Sequence, residues 1–271
     1  LRDAAVSAGA DLRTGTSLVG LIKESSGRVI GADLRSQNGD ITRVYANIVI
    51  GADGRQSSVA NEVGAKTIVT APTSSATVYT YVNGLPNEGY RWYYGDGIAA
   101  GLIPTTDGMH CLFTSCAQDA FRARFKDPFA GAMDFLAKWE PRIAADLTVR
   151  GPAERMRRFP GAPGHIRECA GPGWALVGDA GYFKDPATAH GITDAFLDAN
   201  RLAHALLVKP GDASGNQVAR DWIAPTLFEL THKIASLDWN FDQLKALHME
   251  LNLCIKAEQQ ALMPTPIAHA A

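Results

Sequence analysis

Apolar and polar residues alternate in three short runs near the start of the chain, Ser17–Glu24, Val29–Arg35 and Ile41–Tyr45. The breaks between them carry Ser25-Ser26-Gly27 and Asn38-Gly39-Asp40, and Asn-Gly between alternating runs is a strong hairpin signal. The pattern predicts an antiparallel meander, preceded by a helical segment over Leu1–Ala8. An unbroken apolar run, Ile48-Val49-Ile50, reads as a buried strand that stops at Gly51, with a helix after Ser57. From Lys66 the texture changes. Ala76–Val82, Tyr90–Tyr94, Ile98–Ile103 and Met109–Ser115 are rich in aromatic and β-branched residues and are separated by Gly, Pro, Asn and Asp. That predicts a second antiparallel sheet, with side chains alternating between its two faces.

Phe121–Phe125 and Phe129–Trp139 read as helices, the latter ended by Pro141, and Glu154–Phe159 reads as a returning strand. Pro163-Gly164 and Gly171-Pro172-Gly173 are turns. Trp174–Val177 is a further short buried strand that ends at Gly178-Asp179. After a loop containing Pro186 and Gly191, the residues Ile192, Ala195, Phe196, Ala199, Leu202, Ala203, Leu206 and Leu207 recur at spacings of three and four, the period of a helix with one buried face. Lys209–Asn216 reads as a linker, Gln217–Leu237 as a helix with a break near Pro225, and Phe241–Met263 as a helix whose Leu244, Leu247, Leu251, Cys254, Ile255 and Leu262 share a face. Ala268–Ala271 reads as a frayed end. The amphipathic final helix is expected to pack on the body, a homodimer contact being the alternative.

With 46% hydrophobic and 20% charged residues and a net charge of −2, the composition is that of an ordinary globular protein. Near-neutral charge argues against nucleic-acid binding. No apolar run reaches the roughly 18 residues of a membrane span. The four cysteines form no Cys-x-x-Cys and have no zinc-like spacing, so no metal site is expected and a cytoplasmic location is. Leu1 stands where a Met would open a complete chain, so the sequence reads as a fragment whose N-terminus lies upstream.

Two strand-end turns carry the candidate chemistry. After the strand at 48–50 comes Asp53-Gly54-Arg55-Gln56-Ser57-Ser58-Val59; after the strand at 174–177 come Gly178-Asp179-Ala180, Pro186 and then Ala189-His190-Gly191-Ile192-Thr193 at a helix start. Glycine lets backbone approach a ligand, a carboxylate accepts hydrogen bonds from hydroxyls, and a helix N-terminus offers free N–H groups and a positive dipole end. His190 is the titratable side chain of the loop, read as facing solvent, with a proton relay as the alternative. No Ser/His/Asp triad is present.

The second turn resembles the Gly-Asp motif of FAD-dependent monooxygenases of the aromatic hydroxylase type, related to flavin halogenases and geranylgeranyl reductases. Gly178, Asp179, Ala180, Pro186, Gly191, Asp194, Ala195, Leu202 and Ala203 match it, with Tyr182 for the usual His, Thr188 for Gly and Thr193 for Asn. The first turn resembles the family's Asp-Gly motif through Asp53, Gly54, Ser57 and Val59, with Ala60 where Arg is usual. The halogenase Trp-x-Trp-x-Ile-Pro signature is absent, although Gly101-Leu102-Ile103-Pro104 keeps its end.

The resemblance implies an α/β fold, α+β overall. It would be the remnant of a Rossmann-like FAD-binding domain (1–65 and 164–210, without its Gly-x-Gly-x-x-Gly unit), with an inserted antiparallel substrate-binding domain (66–163) and C-terminal helices (211–271). It implies FAD bound by Asp53, Gly54, Gly178, Asp179, Ala180, Pro186, Ala189, His190, Gly191, Ile192 and Thr193. In that reading Asp179 anchors the ribityl chain and the helix start faces the flavin pyrimidine. It further implies an apolar or aromatic small substrate against a wall of Tyr79, Tyr81, Trp92, Tyr94, His110 and Phe113. The basic run Arg155, Arg157, Arg158 reads as a solvated strand face. The implied activity is NAD(P)H- and FAD-dependent hydroxylation through a flavin hydroperoxide. A prenyl reductase and a non-catalytic flavin-fold fragment remain as alternatives.

Overall fold

A computed structural model describes residues 1–262; Met263, and with it the expected frayed end at 268–271, lies outside the described residues, and so does the side chain of Leu262. The chain opens with α1 (Arg2–Ser7), β1 (Ser17–Lys23), β2 (Val29–Arg35), β3 (Ile41–Tyr45), β4 (Val49–Gly51), α2 (Ser58–Val63) and β5 (Thr67–Thr70). It continues through β6 (Ser75–Val82), β7 (Arg91–Gly95), β8 (Ile98–Pro104), β9 (His110–Ala117), α3 (Phe121–Arg124), α4 (Pro128–Leu136), α5 (Pro141–Arg150) and β10 (Arg157–Phe159). The last part comprises β11 (His165–Arg167), β12 (Ala170–Gly171), β13 (Trp174–Leu176), β14 (Tyr182–Phe183), α6 (Gly191–Val208), α7 (Ser214–Ala235) and α8 (Phe241–Leu262). The mixed helix-and-sheet class that the family resemblance implies is the observed one.

Two compact units emerge. The first comprises Leu1–Ile68, Ile166–Phe183 and Ile192–Asp221; the second comprises Val69–His165, Lys184–Gly191 and Trp222–Ala271.

In the first unit, β1, β2 and β3 form the antiparallel meander. A separate sheet has order β12-β13-β4, in which β13 pairs antiparallel with β12 and parallel with β4. Alternation along β13 explains its layering. Trp174 and Leu176 point into one cluster with Val29, Val59, Ala60 and Cys169, while Ala175 points into another with Leu202 and Ala213. One face of the sheet therefore lies under α2 and the meander, and the other under α6 and the start of α7. Gly173 is required where it sits: its φ is +77°, and a Cβ there would stand 1.9 Å from the Val29 carbonyl oxygen.

In the second unit, a five-stranded antiparallel sheet has order β10-β6-β9-β8-β7. Val78, Val82, Ala100, Leu102, Leu112 and Cys116 point to one face and pack against Phe125, Phe135, Leu136 and Leu147 of the α3–α5 region. Asp127 caps α4 by accepting the N–H groups of Phe129 and Ala130, with Pro128 in its first turn. Pro141, expected to end a helix, instead begins α5, the position where a missing N–H costs nothing. α7 likewise runs through Pro225 without a break, because Leu227, Leu230 and Ile234 beyond it are buried against Leu244 and Leu251 of α8. It also starts at Ser214, inside the stretch expected to be linker. The α8 face formed by Leu244, Leu247, Leu251, Cys254 and Ile255 packs within this unit. β10 is an edge strand with Arg155, Arg157 and Arg158 exposed, as the sequence suggested.

Candidate flavin site

The strands β4 and β13 lie side by side and parallel, with Val49 opposite Trp174, Ile50 opposite Ala175 and Gly51 opposite Leu176. The two candidate turns thus leave the same edge of one sheet, at the carboxyl ends of adjacent parallel strands. Such ends are where open α/β sheets bind ligands.

At the first turn, the Asp53 carboxylate is occupied by its own chain. It accepts the Ser57 hydroxyl at 2.6 Å, the Ser58 N–H at 2.7 Å and the Val59 N–H at 3.2 Å. Ser57 in turn accepts the Ala60 N–H at 2.9 Å. Asp53 and Ser57 together satisfy the free donors that begin α2. Gly54 has φ +78° and open space where a Cβ would be, so its backbone is free to face a ligand.

At the second turn, Gly178 adopts φ +56°, and a Cβ on it would lie 3.1 Å from the Ala195 methyl of α6. Its N–H donates to Asp198 Oδ2 at 3.0 Å. Asp198 is fully buried on α6 beside Arg201, whose Nη1 lies 3.5 Å from Oδ1. Burial pushes the Asp198 carboxyl up to about 6 against the opposing pull of Arg220, the Gly178 N–H and Arg201. Asp194 of the motif's helical Asp-Ala lies near enough to raise the Asp179 pKa, and Asp198, which the sequence reading did not single out, accepts the Gly178 N–H. The signal was present as a second Asp-Ala pair, Asp198-Ala199, four residues further on and on the same helical face.

Asp179 is half-buried. Its pKa is raised, first by burial and then by the nearby Asp194 carboxylate, while the Arg55 charge opposes the shift. Arg55, contributed by the first turn, is therefore an electrostatic neighbour of the second. Ala180 is buried. Ile192 and Thr193 occupy the first turn of the 18-residue α6, Ile192 being exposed. Gly191 opens that helix with no atom near its Cβ position.

Pro186, Ala189, His190 and Gly191 group with the second unit. Asp185 anchors this loop: its carboxylate accepts the Ser75 N–H and hydroxyl, both at 2.7 Å, and the Ala187 N–H at 2.9 Å. Pro186 follows in a single 3-10 turn that ends at Ala189 in the left-handed region, φ +52°. His190 does not face solvent as expected. Its ring is largely buried, with Nε2 3.5 Å from the Glu258 carboxylate of α8.

On the β-sheet of the second unit, Tyr79, Phe113, Gly101 and Trp92 stand in one cross-strand row. Phe113 meets Trp92 edge-on with ring centroids 5.3 Å apart, across Gly101, where a Cβ would lie 2.3 Å from the Phe113 ring. Tyr81 and Tyr94 share this face, which is opposite the one covered by α3–α5. Tyr94 also contacts Trp239 at 6.0 Å and, with Trp239 and Phe241, lines a groove of about 480 Å³. His110 is the exception. Strict alternation puts it with Leu112, Thr114 and Cys116 on the helix-covered face, where burial and then Arg91 lower its pKa. It is not part of the aromatic wall.

An open sheet with two glycine-containing turns at adjacent parallel strand ends, an acid in each, defines a nucleotide-type cofactor domain. The chain belongs to the FAD binding domain family, which it matches over residues 1–217. It is 30% identical over 203 residues to the digeranylgeranylglycerophospholipid reductase of Thermoplasma acidophilum, covering 71% of this chain and 48% of the relative. It is 32% identical over 213 residues to the Methanosarcina acetivorans protein of that name, covering 75% and 49%. The chain thus spans about half the length of the curated relatives it matches. Among solved structures, Pseudomonas aeruginosa PqsL in complex with 2-aminobenzoylacetate superposes with a TM-score of 0.69 at 19% identity, over 86% of this chain and 66% of that one. Klebsiella pneumoniae HpxO complexed with FAD and uric acid gives 0.68 at 17%, over 96% and 70%. The flavin-dependent brominase Bmp2 gives 0.65 at 18%, over 96% and 74%. These likenesses establish the fold. No helix among the described residues is long and apolar enough to cross a membrane.

Proposed function

We propose that this chain forms part of an FAD- and NAD(P)H-dependent oxidoreductase that hydroxylates a small aromatic or apolar substrate. The observation that carries the flavin half is the parallel pairing of β4 and β13, which presents Gly54 and Asp179 at one sheet edge. The residues fit FAD: Gly54 and Gly191 leave open backbone approaches, and Asp179 is a carboxylate suited to ribityl hydroxyls. Asp53 acts indirectly, holding the Gly54 turn through its bonds to Ser57, Ser58 and Val59. The α6 N-terminus, at Gly191, Ile192 and Thr193, offers N–H groups to negative charge on a reduced cofactor. Pro186, Ala189 and His190 shape the preceding loop. FAD, when bound, supplies the electron transfer and oxygen chemistry.

Substrate binding is assigned to the aromatic face of the second unit. Tyr79, Tyr81, Trp92, Tyr94 and Phe113 share one face of the sheet, and the groove that Tyr94 lines has the size of a small-molecule site. A cytoplasmic location, where the four free thiols stay reduced, belongs to the same reading.

A second reading, reduction of prenyl double bonds, is favoured by one observation: the sequence relatives at up to 32% identity carry the name digeranylgeranylglycerophospholipid reductase. The two are separated by purifying the full-length protein, recording its flavin absorption, and following NAD(P)H oxidation and O₂ uptake with an aromatic panel. Anaerobic reduction of a geranylgeranyl lipid is assayed in parallel. Substrate-dependent O₂ uptake supports hydroxylation. Lipid reduction without O₂ replaces it with the second reading. A protein that cannot be reconstituted with FAD removes both.

A further inference from the structure

Arg167, at the end of β11, is bonded in four directions within the first unit. Its main-chain N–H donates to the Gly181 carbonyl at 2.8 Å. Its Nη1 donates to the Ala180 carbonyl at 3.0 Å, and its Nη2 donates to the Arg55 carbonyl at 3.4 Å. Its own carbonyl accepts the Arg220 guanidinium. Ala180 belongs to the Gly178-Asp179 turn and Arg55 to the Asp53-Gly54 turn. One guanidinium therefore ties together two loops that are far apart in sequence.

The physical chemistry favours arginine here. Its planar fork presents two donors at fixed separation, whereas a lysine head is a single charged point. Both acceptors are main-chain carbonyls, so the links fix backbone and not side-chain positions. The main chain of Arg167 is itself held from behind. Arg220 is fully buried and fits against Gly181, where a Cβ would lie 2.7 Å from its Nη1. The Gly178 N–H is held from the other side by Asp198. Both turns end up rigid relative to a common post.

We infer that Arg167 is a positioning residue that sets the separation of the Gly54 and Asp179 turns, and so the width of the opening that receives the ribityl chain of the flavin. This rests on the flavin reading above. It concerns neither a catalytic group nor a residue touching substrate.

The test compares the full-length wild-type protein with its Arg167→Ala and Arg167→Lys variants by amide hydrogen exchange, thermal melting and FAD titration followed by the flavin absorption band. In Arg167→Ala, residues 55–58 and 178–181 should lose protection together, and the FAD dissociation constant should rise about tenfold, the equivalent of one charge-assisted bond. Arg167→Lys, which can reach one carbonyl at a time, should melt close to wild type, restore protection to one of the two turns and recover only part of the affinity. Unchanged exchange at both turns in Arg167→Ala overturns the inference. So does wild-type FAD affinity in a variant whose turns have loosened. If the full-length wild-type protein gives no flavin signal while both turns still loosen in the variant, the flavin reading fails and the strut between the turns stands without that purpose.

Discussion

Leu176 lies directly opposite Gly51 in the parallel pair of β4 and β13, and its Cδ2 methyl sits 2.7 Å from where a Cβ on residue 51 would be. Val59 of α2 closes the same space from the other side, its Cβ 2.8 Å away. The strand pair that presents both flavin turns is therefore packed through a position that tolerates no side chain. Gly51→Ala should destabilise the chain by about 1–3 kcal/mol, the usual cost of overpacking a filled core. Urea denaturation measures this as a lower midpoint with little change in slope. An unchanged midpoint would mean that Leu176 and Val59 have slack that the packing does not suggest.

Gly101 has the matching role in the second unit, where the Phe113 ring fills its missing side chain and meets Trp92 edge-on. Gly101→Ala should displace Phe113 and weaken a contact worth about 0.5–1.5 kcal/mol. Near-ultraviolet circular dichroism should lose aromatic signal, and apolar ligands should bind less tightly to the face carrying Tyr79 and Trp92. A variant with wild-type aromatic dichroism would contradict the arrangement.

Asp198 gives a pH dependence of defined sign. Its folded pKa, raised to about 6 mainly by burial, lies above the ordinary value of 3.8, so the folded chain holds this proton more tightly than the unfolded chain does. The resulting stabilisation is full below the unfolded pKa and is lost as pH rises through the folded one. Asp179 and Asp185 are shifted in the same direction. Stability should fall between about pH 4 and pH 6, and Asp198→Asn should flatten part of that fall, on the order of 1–3 kcal/mol. Urea midpoints across that range decide it; an identical slope in the variant would refute the assignment to Asp198.

Asp185→Ala removes the acceptor for the Ser75 N–H, the Ser75 hydroxyl and the Ala187 N–H at a buried position. Leaving such donors unpaired should cost about 2–4 kcal/mol. Hydrogen exchange should accelerate together at residues 75 and 187, which lie on β6 and in the loop before α6. Acceleration at only one of them would show that the carboxylate does not join the two segments.

Much of this architecture was legible along the chain. The meander was readable because its strands alternate cleanly and are joined by Asn-Gly and Ser-Gly turns, and its observed limits differ from the expected ones by a residue at most. The four long strands of the second sheet were marked by Tyr, Trp, Val and Ile between glycine and proline breaks. The pieces that escaped were short or carried proline. β5, β11 and β12 have two to four residues, too few for a period to register, and exist through long-range pairing. α5 was hidden because Pro141 reads as a stop when taken from the helix before it and as a start when taken from the helix after it.

The site divides in the same way. Local order determined the two glycine turns, the Ser57 cap and the helix that begins at Gly191, since each depends on residues within a few positions of one another. Only the tertiary structure decided how they are used. It put β4 beside β13, engaged the Asp53 carboxylate with α2, brought Asp198 to the Gly178 N–H, turned His110 away from the aromatic face and set Arg167 between the turns. Each of these outcomes depends on strand register or on pairing between distant residues. Hydrophobic periodicity specifies which side of an element is buried, but it is the packing of that side against a particular neighbour that determines which polar groups meet.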